Sequence, residues 1–184
     1  GDDDCLPGEC CQDGFCVPCS GPGTYTVPDD YDTIQQAIDA LGNGDVITVA
    51  PGTYVEAIDT RGKAVVIEGA GVGLSIIDPA GLGASAVTIR SGEGAGTVLR
   101  GFTIQNALTE RGGAVFIENA GPVIEDCQFL NNQVWTVGGG VFIGFTNAFR
   151  PVIRACSFES NVAYDSGGGL GVAGGAVDLD DCIF

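Results

Sequence analysis

Cys127-Gln128-Phe129-Leu130-Asn131-Asn132 returns as Cys156-Ser157-Phe158-Glu159-Ser160-Asn161, and Cys182-Ile183-Phe184 opens the same block again. This self-similarity decides the fold, because a fixed period of this size marks a stacked repeat. Working outward, Gly101-Phe102-Thr103-Ile104-Gln105-Asn106 aligns with these blocks. In that alignment Phe recurs at Phe129, Phe158 and Phe184, Cys at Cys127, Cys156 and Cys182, and Asn at Asn106, Asn132 and Asn161. The period alternates between 26 and 29 residues. A short apolar strand precedes each block, as in Val98-Leu99, Val123-Ile124, Val152-Ile153 and Val177-Asp178-Leu179. After each Asn comes a glycine run (Gly112-Gly113, Gly138-Gly139-Gly140, Gly167-Gly168-Gly169), then a further strand such as Val115-Phe116-Ile117.

A unit of this length with strands and no helix is one turn of an all-β solenoid. Leucine-rich repeats would show a regular Leu pattern, and propeller blades need longer units. Stacked turns lie about 4.8 Å apart, so equivalent residues stack on one another. The expectation is a right-handed parallel β-helix in which Phe129, Phe158 and Phe184 form an internal column. Asn106, Asn132 and Asn161 would form a structural amide ladder. The glycine runs supply the positive φ that sharp corners need.

Two segments precede the coils. Residues 1–22 are a compositional island carrying Cys5, Cys10, Cys11, Cys16 and Cys19 among Pro, Gly and Asp. So few apolar residues cannot build a core, so disulfides, ahead of a four-thiolate metal site, are expected to hold this module together. Residues 23–184 are the β-helix, with its coils over about 45–184. A helix is expected over about 32–41, with Asp32 as N-cap, Gln35 completing a capping box and Gly42 ending it. Ile34, Ala37, Ile38 and Leu41 give it one apolar face, which suits a lid on the first coil.

The chain has 7 Lys+Arg against 24 Asp+Glu, a formal net charge of −17, and no His. That balance repels nucleic acid and anionic membranes, so neither is an expected partner. Solubility in a secreted setting is the first explanation of the acidity, and surface Ca²⁺ the sharper one; no other cofactor or metal is expected. Eight Cys in an acidic, His-free chain point to disulfides and an oxidising, extracellular or cell-surface location. Cys127, Cys156 and Cys182 are counted with the N-terminal five as disulfide candidates. No apolar run approaches the about 18 residues of a membrane helix. Gly1-Asp2-Asp3-Asp4 is no signal peptide, so an exported protein would be in its mature form.

Tyr25-Thr26-Val27-Pro28, then Asp32-Thr33-Ile34-Gln35-Gln36-Ala37-Ile38, then Gly44-Asp45-Val46-Ile47-Thr48-Val49-Ala50-Pro51-Gly52-Thr53-Tyr54 resembles the opening of the pectin lyase-like β-helix proteins. Gly62-Lys63-Ala64-Val65-Val66-Ile67 and Gly101-Phe102-Thr103-Ile104 extend the resemblance to bacterial secreted repeat proteins of that class. It covers roughly residues 25–184. It implies a helix closing the N-terminal end, and a fold that hosts lyases, hydrolases, adhesins and structural repeats alike.

For hydrolysis, carboxylates must converge, and Glu125, Asp126, Asp178, Asp180 and Asp181 are the candidates. Asp126 and Asp181 take equivalent places before the Cys, with Arg100 and Ala155 at that place elsewhere. Arg100 and Arg154 are the candidate bases for elimination. The scatter favours exposed turns over an acid pair, and the missing His removes the commonest general base, so no residue is assigned a catalytic role. Trp135, Phe145, Phe149 and Tyr164 fall outside the repeat and are candidates for sugar stacking or a subunit contact. Phe184 falls midway through a coil, so a longer chain, a cap from elsewhere or a next copy would complete it; the favoured expectation is copies stacking head to tail, supported by a disulfide from a spare N-terminal thiol to Cys156 or Cys182 of a neighbour. The expected function is therefore a non-enzymatic structural subunit of an extracellular filament or surface assembly, a head-to-tail homopolymer. The alternatives are a glycan-binding adhesin module and a fragment of a polysaccharide lyase or hydrolase.

Overall fold

The computed structural model describes residues 9–12, 15–18 and 21–184, apart from Arg111 and Asn147. Glu9–Gln12 and Phe15–Pro18 pair antiparallel, with Cys11 opposite Cys16. The side chains of the five N-terminal cysteines fall outside the described residues, and so does the disulfide expectation for Cys5, Cys10, Cys11, Cys16 and Cys19.

From Thr24 onward the chain is a parallel β-solenoid of about six turns. Sheet 1 has seven strands: Thr24–Val27, Val46–Val49, Val66–Gly69, Val98–Arg100, Val123–Glu125, Val152–Arg154 and Asp178–Asp180. Sheet 2 stacks Gly52–Tyr54, Ser75–Ile77, Thr103–Gln105, Gln128–Leu130 and Ser157–Glu159. Sheet 3 is short, with Leu108–Thr109, Gln133–Val134 and Val162–Ala163. Sheet 4 stacks Ile58–Asp59, Val87–Ile89, Val115–Ile117, Val141–Phe145 and Leu170–Gly174.

Side chains alternate in and out along each strand. In sheet 1 the central residues Ile47, Ile67, Leu99, Ile124 and Ile153 stack inward and are buried. In sheet 2 Ile104 pairs with Phe129 and Phe129 with Phe158. The rings of Phe129 and Phe158 stack at 4.8 Å, and those of Phe158 and Phe184 at 4.6 Å. Those separations equal the spacing of hydrogen-bonded strands, so the rings stack because the coils do.

The hydrogen-bonded register moves the earliest repeat by one residue. Thr103 pairs with Gln128, so Asn106 matches Asn131 and not Asn132. The Asn131-Asn132 doublet permits two alignments by identity, and only strand pairing chooses between them. Asn106, Asn131 and Ser160 occupy one corner, with φ of 57°, 55° and 54°. Asn tolerates this left-handed conformation better than most residues. The next residue points inward, so the column is Ala107, Asn132, Asn161. Asn132 is fully buried. Its Nδ2 donates to the Ile104 carbonyl and to Asn161 Oδ1, both at 2.9 Å, and its Oδ1 accepts from Ala107 N at 3.0 Å. Asn106 stands outside this ladder and donates from Nδ2 to Asp78 Oδ2 at 2.7 Å.

The same shift applies at the corner between sheets 1 and 2. Asp126, Ala155 and Asp181 have φ of 51°, 50° and 53°, and their counterpart is Gly101, at 75°, rather than Arg100. The inward residue after the corner is Phe102, Cys127, Cys156 or Cys182. Within the chain these three cysteines are not bonded to one another. Each thiol lies against the carbonyl two residues back, at 3.2 Å for Cys127 and Cys156 and 3.4 Å for Cys182. Cys127 and Cys156 are buried, and Cys182 is partly buried.

At the corner entering sheet 4, Gly112, Gly138 and Gly167 have φ of 89°, 76° and 68°. Beside them Gly113 sits so close to the next coil that a Cβ would run into the Gly138 carbonyl oxygen. Glycine is required here by both conformation and clearance.

One helix, α1 (Ile34–Ala40), lies between the first two strands of sheet 1, with Ile34, Ala37 and Ile38 buried. Its N-cap is Thr33, not Asp32: Thr33 has the extended φ of −136° that the position needs, and its Oγ1 accepts from Gln36 N at 3.1 Å. Leu41 takes the C-cap one residue before Gly42. No helix of the described residues is long and apolar enough to cross a membrane.

Candidate functional site

The coils expose an aromatic strip where sheet 3 turns toward sheet 4. Gln133–Val134 pairs in parallel with Leu108–Thr109 on one side and with Val162–Ala163 on the other. The residues immediately after these strands are therefore stacked equivalents: Glu110, Trp135 and Tyr164. Backbone bonds hold the register, from Trp135 N to the Thr109 carbonyl and from Tyr164 N to the Val134 carbonyl, each 3.2 Å. The Trp135 and Tyr164 rings lie 4.7 Å apart at 12°. They are 55% and 57% exposed, so this stack belongs to the surface. Gln133 Nε2 donates to the Tyr164 hydroxyl at 2.6 Å and fixes the phenol end of the pair.

The ring column stops at Trp135, because the preceding coil carries Glu110 there. A depression of about 500 Å³ opens at that place, lined by Gly83, Leu108, Thr109, Glu110 and Trp135. Leu108 is 49% exposed and adds an apolar floor. Thr136 Oγ1 donates to the Glu110 carbonyl at 3.1 Å, which ties the two walls together.

On the far side of Thr136, a groove of about 310 Å³ is lined by Phe116, Phe142, Phe145, Glu118, Val137 and their neighbours. Phe116 and Phe142 point outward from sheet 4 with rings 5.7 Å apart at 13°. Phe145 is 66% exposed at its rim. Phe149 lines neither depression; it is half-buried on a turn whose amide bonds back to the Thr146 carbonyl. Of the four aromatic candidates, the structure thus brings Trp135 and Tyr164 together, puts Phe145 nearby and sets Phe149 apart. Phe116 and Phe142 were hidden in the repeat, because an alternating strand pattern does not say which face of a sheet meets solvent.

The carboxylate and arginine candidates have other occupations. On the outer face of sheet 1, Glu68, Arg100, Glu125 and Arg154 occupy successive coils in alternating sign. Arg100 reaches Glu68 at 3.0 Å and Glu125 at 3.6 Å, and Arg154 Nε donates to Glu125 Oε2 at 2.6 Å. Asp178 is paired with Arg150 at 2.6 Å. Asp126 and Asp181 are corner residues with positive φ. Among the described residues, no three His, Cys, Asp or Glu side chains come together as a metal-holding group.

One buried acid was not legible in the sequence. Glu93 is 2% exposed. Its Oε1 accepts from Thr60 Oγ1 at 2.6 Å and Gly62 N at 2.8 Å, and its Oε2 from Ser91 N at 2.6 Å. Burial pushes its pKa up, but these hydrogen bonds to the charged form prevail and hold it below the ordinary glutamate value. It is a staple between successive coils. No local motif could have revealed it, because its partner Thr60 is 33 residues away.

Comparison with protein-family models, with curated proteins and with solved structures gave no match. The fold and the exposed aromatic strip therefore carry the functional argument by themselves.

Proposed function

We propose that this chain is a non-enzymatic glycan-binding module of the adhesin kind, built on a secreted parallel β-helix. The observation that carries this reading is the exposed Trp135–Tyr164 stack, which ends at a depression of about 500 Å³. A pyranose has an apolar C–H face and a polar rim of hydroxyls. Its C–H face fits an exposed indole, where contact removes apolar surface from water, and its rim fits the Glu110 carboxylate at the border. Trp135 and Glu110, its neighbour in the column, both line the depression, so a sugar there meets an indole beside a carboxylate.

The resemblance to pectin lyase-like proteins over roughly residues 25–184 supports an extracellular setting and a helix α1 that closes the first coil. Head-to-tail stacking of copies is the other reading of the repeat. Val172, Leu179, Ile183 and Phe184 are exposed on the last coil described. A further coil of polypeptide would cover that row as well as a second copy would, whereas the aromatic strip lies on the flank of the solenoid and stays open in either case.

Isothermal titration with a panel of soluble oligosaccharides tests the proposal. At least one member should bind, and Trp135→Ala should weaken it about tenfold or more, equivalent to about 1.4 kcal/mol. An unchanged far-ultraviolet circular dichroism spectrum would show that the variant is folded. Binding indifferent to Trp135, or none to any member, would overturn the proposal.

A further inference from the structure

We infer that the Trp135 depression selects a sugar bearing a protonated amine, a 2-amino-2-deoxyhexose unit, over neutral and acidic sugars. The inference rests on the glycan-binding reading above and adds the charge class of the ligand. Three observations carry it. First, Glu110 stands in the column position next to Trp135 and lines the same depression, so a carboxylate borders the free face of an indole. An indole face attracts a cation within about 6 Å through its quadrupole, and a neighbouring carboxylate adds to that attraction.

Second, the described cations are committed elsewhere. Six of the seven Lys and Arg are described, Arg111 being the seventh. Arg61 pairs with Asp39, Arg90 with Asp59, Arg100 with Glu68, Arg150 with Asp178 and Arg154 with Glu125. Lys63 donates to helix carbonyls. None of these six lines the depression. A uronate would have to place its carboxylate beside that of Glu110, against like charge.

Third, the net charge of −17 surrounds the site with a negative potential, which concentrates cationic ligands and repels anionic ones. The field alone would collect any polycation without discrimination. The indole and Glu110 together make the recognition local.

Titration of three short oligomers of equal length separates these effects: a glucosamine oligomer, its N-acetylated counterpart and an oligogalacturonate. In about 0.15 M salt, screening confines exposed charge interactions to about 8 Å. The glucosamine oligomer should bind about fivefold tighter than the acetylated one, as a solvent-exposed cation–π contact and one surface ion pair allow. The oligogalacturonate should bind weakest. Glu110→Gln should bring the first two to similar affinity, and Trp135→Ala should weaken both. Equal affinities in the parent chain, a preference that survives Glu110→Gln or Trp135→Ala, or tightest binding of the galacturonate would each overturn the inference. In those cases, acetylated-oligomer binding that still depends on Trp135 leaves the glycan-binding reading standing. No binding of any of the three would overturn both.

Discussion

Glu93 shows how one residue can tie separate coils together. Its carboxylate accepts three hydrogen bonds, from Thr60, Gly62 and Ser91, in a place water does not reach. Glu93→Gln would keep the shape but put an amide N–H against donors, stranding at least one of them. The expected loss is about 2–3 kcal/mol in urea denaturation, since hydrogen bonds to a charged group are the stronger kind. The native pKa is lowered, so the unfolded chain takes up the proton first. The contribution is therefore complete above about pH 4.3, the ordinary glutamate value, and disappears as pH falls through the lower native value. Stability measured across that acid range should fall less steeply in Glu93→Gln than in the parent; parallel curves would refute this role. In the thiol column burial prevails at Cys127, whereas the hydrogen bond with Cys127 holds the Cys156 thiol below its ordinary value. Enclosure pushes the Cys127 thiol well above its ordinary pKa, and a thiol kept protonated is a poor nucleophile. The sequence offered Cys127, Cys156 and Cys182 as cross-link candidates; the first two lie in the core and Cys182 is partly buried against it.

At the scale of one element, helix α1 has only seven residues, too few to be stable alone. Neighbouring coils supply what it lacks. Ile34 N and Gln35 N donate to the two oxygens of Glu56 at 3.1 and 3.0 Å, so a carboxylate sits at the positive end. Lys63 Nζ donates to the carbonyls of Ile38, Asp39 and Leu41 at 2.6, 2.9 and 2.7 Å, so an ammonium closes the negative end. Gln35 also bonds Asp59 through both amide atoms, giving the edge of sheet 4 a side-chain partner in place of a strand. Lys63→Met keeps the aliphatic stem and removes the donor. It should cost about 1–2 kcal/mol, read as a lower urea midpoint at constant slope. A midpoint matching the parent would mean that solvent serves those carbonyls equally well. The apolar face Ile34, Ala37, Ile38 and Leu41 was legible in the sequence because 3.6-residue periodicity is local. The charged partners at 56 and 63 were not, because they arrive from another turn of the solenoid.

For the whole molecule, a net charge of −17 on 184 residues must be carried by a fold whose described residues make few ion pairs. The described pairs are close contacts, such as Arg100 with Glu68 at 3.0 Å, and salt weakens these less than repulsion acting over longer distances. The melting temperature should therefore rise as ionic strength goes from about 10 mM to about 150 mM, where the screening length shrinks from about 30 Å to about 8 Å. A fall would show that the Glu68–Arg100–Glu125–Arg154 row outweighs the general repulsion. The solenoid itself, its Phe129–Phe158–Phe184 column and its glycine corners could be read from the chain alone, because stacking turns repeated spacing directly into contact. Which of two asparagines enters the ladder, which residue faces a corner and which carboxylates meet arginines needed the tertiary structure. A one-residue change of register leaves the repeat recognisable yet exchanges inside for outside. The aromatic strip has the same origin. Trp135 and Tyr164 stand 29 residues apart in the sequence, and only the pitch of the coils sets one ring on the other and leaves the neighbouring place open.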